Sequence, residues 1–104
     1  MKKICIDFDG VLIDHPHSLS FYECLKQGKP TDRSVEILNY LSRFYELVVL
    51  TARKDDELEQ VRGWLSTQGF PTMEITNKKI PAMAYIDDRA VRFTNWTDIS
   101  KLLA

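Results

Sequence analysis

At 104 residues the chain has room for one domain with a core of its own and not for two. Its 44% hydrophobic and 28% charged residues are ordinary for a globular protein, and a formal net charge of −1 removes any electrostatic case for bulk binding to nucleic acid or an anionic membrane. Cys5 and Cys24, the only cysteines, have no metal-type spacing and are expected as reduced thiols in a cytoplasmic protein. The basic start Met1-Lys2-Lys3 leads into an apolar run that Asp7 breaks, which is too short for a signal peptide or a membrane span.

The run Ile4-Cys5-Ile6 lacks polar alternation and suits a strand buried on both faces of a parallel sheet. It stops at two carboxylates. In an extended chain Asp7 and Asp9 leave the same face, and Gly10 lets the chain turn sharply behind them. Like charges at the end of a buried strand repel and resist desolvation, so they point to a bound cation or a shared proton. Residues 13–30, with Asp14, His15, Pro16, His17, Gly28 and Pro30, read as loop with a helical turn near residues 21–25. His15 and His17 are expected in solvent rather than on a ligand. Asp32 is a good N-cap for a helix carrying Val35, Leu38, Leu41 and Tyr45 at helical spacing.

Residues 46–50, Glu-Leu-Val-Val-Leu, predict a second buried strand ending in Thr51-Ala52-Arg53. Asp55 or Asp56 starts a second helix with a stripe of Leu58, Val61 and Leu65 and with Trp64 at its flank, closed by Gly69 and Pro71. Residues 72–76 and 83–86 predict a third and a fourth strand, the latter running into Asp87-Asp88-Arg89. A short fifth strand is expected near residues 91–93, and a last helix from Thr97 or Asp98 to Leu103. An ion pair is expected of Arg89, while Arg53 is balanced between an ion pair and substrate.

Alternating strands and helices imply an α/β fold: a single Rossmann-like parallel sheet of about five strands with helices on both faces. The carboxyl ends of parallel strands share one edge, where ligands bind, so Asp7, Asp9, Thr51 and Asp87 converge there. Three carboxylates with room for water suit Mg²⁺, and a phosphate is the natural further ligand. Thr51 offers a hydroxyl, and Lys78 or Lys79 a positive charge for phosphoryl oxygens. One aspartate is then placed to attack phosphorus while the other handles the proton.

Together these segments resemble the haloacid dehalogenase superfamily of phosphohydrolases. Asp7-Phe8-Asp9-Gly10-Val11-Leu12 is similar to its first motif, Thr51 after an apolar strand to its second, a lysine in residues 77–81 to its third, and Tyr85-Ile86-Asp87-Asp88 to its fourth. The resemblance implies that Asp7 is the nucleophile, Asp9 the general acid and then base, and Asp87 a ligand of Mg²⁺, with Asp7 and the Asp9 carbonyl as further ligands. It also implies that Gly10, Thr51, Ala52, Arg53 and the lysine surround the phosphoryl group, and that Asp88 supports the lysine or a metal-bound water. Lys79 is preferred for its Lys-x-Pro-Ala lead into the fourth strand, and Lys78 stays open. No interval is long enough for a cap domain, so the chain resembles capless members, whose open site is covered by another subunit or a bulky substrate.

The substrate expected is a phosphorylated small molecule or a nucleic-acid end, with Trp96 a weak candidate for stacking on a base. Two other classes compete. A phosphoacceptor signalling module also uses an aspartate, a hydroxyl and a lysine, but places its acidic pair on the first strand, whereas here Asp87-Asp88 comes last. A non-catalytic binding module would keep the motifs only as a fold, against which stands the retention of both Asp7 and Asp9.

Overall fold

The computed structural model describes residues 1–14 and 20–104; His15 and His17 lie outside them. Four strands, β1 (Lys3–Asp7), β2 (Glu46–Leu50), β3 (Glu74–Thr76) and β4 (Ala84–Ile86), form one sheet in the order β3-β2-β1-β4, and every pairing is parallel. The helices are α1 (Phe21–Gln27), α2 (Ser34–Leu41), α3 (Leu58–Gln68) and α4 (Trp96–Leu103), with a single 3₁₀ turn, Asp55–Glu57, ahead of α3.

β1 pairs with β2 from Lys3↔Glu46 to Asp7↔Leu50, which puts Ile4, Ile6, Leu47 and Val49 on one face and Cys5 and Val48 on the other. The first face carries the main core. Ile4, Ile6, Leu47, Val49 and Ile75 cluster there with Cys24 of α1, Leu38 of α2 and Val61, Trp64 and Leu65 of α3. Residues 61, 64 and 65 fall on one helical face, so Trp64 belongs to the core rather than to a flank. Its ring meets Phe8 edge to face at 5.5 Å, and its indole N–H donates to the Gly28 carbonyl. Gly69 ends α3 in the left-handed conformation at φ 90°, with its N–H shared between the carbonyls of Leu65 and Ser66.

Three further expectations are corrected. Among the described residues the sheet has four strands and not about five: residues 91–93 form no strand and lie exposed, since no further ladder forms there beyond β4. The expectation of helices on both faces is met on one. The chain from β3 to β4 passes β2 and β1 in seven residues, 77–83, and a crossover helix needs about a dozen. A strap takes its place, fastened where the Tyr85 hydroxyl donates to the Ile80 carbonyl. Asp32 is not the cap of α2. That position is Arg33, in the left-handed region at φ 60°, while the buried Ser34 donates its hydroxyl to the Thr31 carbonyl. Among the described residues, no helix is long and apolar enough to cross a membrane.

Candidate active site

The site grows from the way β1 ends. After Asp7 the ladder continues for one bond, Phe8 N–H to the Leu50 carbonyl at 3.2 Å. The carbonyl of Phe8 then accepts from the N–H groups of Val11, Leu12 and Ile13, so the chain curls around it. Gly10 permits the curl with φ 87°, a conformation that costs a side chain strain. A Cβ at Gly10 would also lie 2.5 Å from Asp88 Oδ2, so Gly10 is where the ends of β1 and β4 come together. The turn is held from outside by Thr31, whose hydroxyl donates to the Val11 carbonyl and whose N–H donates to that of Leu12.

Asp7, Asp87 and Asp88 each bring a carboxylate oxygen within 4.8 Å of the others, the cluster of this kind found among the described residues. Asp7 is half-buried; Asp87 and Asp88 are exposed. Burial first, and then the negative charge of Asp87, push the Asp7 carboxyl up to about 6, with Asp88 and Asp9 adding to the rise and the Phe8 N–H opposing it. An all-oxygen donor set with mutual repulsion fits a hard dication and not a soft one.

Asp9, two residues on, has a different partner. The guanidinium of Arg53 meets both its oxygens, Nη2 to Oδ1 at 2.8 Å and Nε to Oδ2 at 3.3 Å. The Arg53 side chain is 1% exposed, and its charge sits 5.5 Å above the Phe8 ring. Asn77 fixes the segment that carries it, its amide donating to the Arg53 carbonyl and to Asp55 Oδ1.

Thr51 follows Leu50, the strand partner of Asp7, and is buried; its N–H donates to the Thr76 carbonyl and its hydroxyl accepts from the Arg53 N–H at 3.2 Å. Ala52 is exposed beside it. On the strap side of the sheet a cleft of about 700 Å³ is lined by Asp7, Asp87, Cys5, Lys79 and residues 90–92. Lys79 Nζ stands 4.9 Å from the centroid of Tyr85, the neighbour of Cys5 across β1 and β4. Lys78 is exposed, and its N–H donates to the Thr76 hydroxyl.

Asp7, Asp87, Asp88 and Lys79 thus line or adjoin one cleft, with Gly10 in contact range of Asp88 and with Thr51 one residue past the strand end. The ion pair expected of Arg89 belongs to Arg53: Arg89 is exposed, and its N–H donates to Asp87 Oδ1 at 2.8 Å. Two features escaped the sequence reading, that Asp9 is the partner Arg53 takes and that Asp88 approaches Gly10. The first had a faint signal, an arginine three residues beyond the end of β2. The second had none, because it depends on the relative height of two strands.

No protein-family model and no curated protein matches the chain. Among solved structures it is similar to the conserved protein coded by a locus from Bacteroides thetaiotaomicron, at 22% identity over 98% of this chain and 88% of that one, with a TM-score of 0.67. At that identity the likeness concerns the fold: an α/β chain on a parallel sheet.

Proposed function

We propose that the protein is a Mg²⁺-dependent phosphomonoesterase of the haloacid dehalogenase type, acting through an aspartyl phosphate. The observation that carries this reading is the convergence of Asp7, Asp87 and Asp88 at the mouth of a cleft that also holds Lys79. Asp7, Asp87 and Asp88, with the Asp9 carbonyl, are the groups that would hold Mg²⁺, which when bound supplies positive charge against the phosphoryl oxygens and the acidic cluster. Lys79 adds charge from the cleft side, and the Thr51 hydroxyl, which accepts from the Arg53 N–H, keeps its own hydrogen to donate to a phosphoryl oxygen.

An oxygen of Asp7 attacks phosphorus and the bond to the leaving oxygen breaks, the proton for that oxygen coming from Asp9. Water then attacks the phosphorus, Asp9 takes its proton, and inorganic phosphate leaves as Asp7 is restored. For either transfer the Arg53 guanidinium has to yield one oxygen of Asp9. The open cleft suits a phosphorylated small molecule or a nucleic-acid end, and the two free, buried cysteines suit a cytoplasmic setting.

Phosphate release from an aryl phosphate, with Mg²⁺ and with chelator, tests the activity; equal rates in both would end the proposal. The nucleophile is tested by quenching Asp9→Asn shortly after mixing with an activated aryl phosphate. An acid-stable, hydroxylamine-sensitive phosphoryl group on the peptide containing Asp7 is expected, and the same group on another residue would reassign the nucleophile. The two bonds from Arg53 to Asp9 favour a second reading, a binding module of weak or absent turnover. That reading requires phosphate and Mg²⁺ to bind with no phosphoenzyme in any variant.

A further inference from the structure

The large apolar side chains left exposed are concentrated at the carboxyl-terminal end of the chain. Met83, Tyr85, Ile86, Val91, Phe93, Trp96, Leu102 and Leu103 are all exposed, with Trp96 at 75% and Leu103 at 71%. α4 is firmly specified by its own sequence: the Asn95 side chain accepts from the Asp98 N–H, and Thr94 and Asn95 both donate to Asp98 Oδ2. Yet it buries none of its residues. A helix of eight residues is marginal alone in water and takes its stability from packing an apolar face. The Cα radius of gyration, 14.7 Å, exceeds the roughly 13 Å usual for this length, as expected of a segment standing off the body.

β4 raises the same question. It is three residues long and pairs only with β1, so its outer edge and the side chains of Tyr85 and Ile86 are open. At roughly 150 to 250 Å² for a large buried side chain, the exposed parts of these eight residues amount to several hundred Å² per chain. A standard interface needs about 800 Å² from each partner; Tyr85 and Ile86 leave opposite faces of β4, so what α4 and the Tyr85 face offer together is a large share of one before any polar rim is added. A patch contributed equally by two chains is self-complementary across a two-fold axis, which is the commonest oligomer symmetry.

We propose that a second copy of the chain covers this surface, with α4 and the β4 edge of each protomer packed against the same elements of the other. Met83, Tyr85 and Ile86 of this surface, with residues 90–92, line the cleft itself, so the second copy closes over each site. Assembly is read without substrate, so its failure leaves the phosphatase proposal untouched, and the reverse holds too.

Sedimentation of the full chain at up to about 100 μM, where a micromolar dimer is formed, should give about 24 kDa, twice the 12.1 kDa of one chain. Trp96→Glu with Leu103→Glu should sediment as a monomer while keeping its α/β circular dichroism. Tyr40→Glu with Phe44→Glu, which alters another exposed aromatic pair, should remain dimeric. A wild-type monomer throughout would overturn the proposal, whether α4 is then free or folded back on its own sheet, and so would a dimer that survives the first double variant. Should that variant fail to fold, hydrogen exchange of residues 96–103 in the wild type decides: protection that rises with protein concentration supports the dimer, and protection independent of it refutes it.

Discussion

Asp7 and Asp9 leave the same strand end two residues apart and meet opposite surroundings. Asp9 is neutralised by a buried guanidinium that touches both its oxygens. Asp7 faces two further carboxylates and is pushed up to about 6. Like charge crowded against one acid and left uncompensated marks a candidate ligand site, and a buried counter-ion on the other holds that acid in place beside it.

The largest test removes the crowded member. Asp7→Ala should cost roughly 10⁴- to 10⁶-fold in turnover, the range seen when one member of a nucleophilic unit is lost, measured as phosphate release with Mg²⁺ present. Next is the compensated member: Arg53→Ala leaves Asp9 without its guanidinium and should destabilise the fold by about 3 kcal/mol in urea denaturation, near the low end for a broken buried pair because Asp9 keeps 18% exposure. A loss below 1 kcal/mol would show the pair to be only a surface contact.

Mg²⁺ sharpens the contrast from the other side. At a hundredfold excess over its dissociation constant it should stabilise the wild type by about 2.7 kcal/mol, seen as a raised Tm, and Asp87→Ala should need far more metal for the same shift. Gly10→Ala should cost about 1 to 2 kcal/mol for its left-handed backbone and turn Asp88 aside, so that weakened Mg²⁺ binding accompanies the lost stability.

The smallest effect is the pH dependence of Asp7. Its carboxyl titrates near 6 when folded and near the ordinary 3.8 when unfolded, so between those values the folded chain binds more protons. Its contribution to stability therefore falls as pH rises from about 4 through 6 and stays low above. Asp7→Asn should be neutral near pH 4 and more stable than wild type, by on the order of 1 kcal/mol, above pH 7 in chelator, a gain limited by the partial exposure of the group. Equal stabilities at both pH values would remove the crowding argument.

What the sequence disclosed and what it withheld divide along the range of the interaction. β1 and β2 are legible because Ile4-Cys5-Ile6 and Leu47-Val48-Val49 are continuous apolar runs closed by polar residues, and α3 because its stripe and its Gly69 stop are local. The strand expected at Val91-Arg92-Phe93 fails because β propensity needs a neighbour to pair with, and no ladder lies beyond β4. Asp7 and Asp87 were visible as acids at strand ends. The bond between Arg53 and Asp9 spans 44 residues and depends on which way the chain turns after Thr51, which no local pattern encodes.

The strand order has a consequence for folding. β1 is flanked by β2 and by β4, and its partner in β4 is reached only after some eighty residues, from Ile6 to Ile86. Parallel pairings of such long sequence separation carry a loop-closure cost that must be met before their contacts reward it. The β1–β2 half, with Asp9 and Arg53 already on it, can condense first; the zipping of β4 against β1 brings Asp87 and Asp88 up to Asp7 last, and does so uphill against their charge. A dication present at that moment acts on the late step, so Mg²⁺ should change the rate at which β4 docks or detaches more than the rate at which the rest of the core collapses.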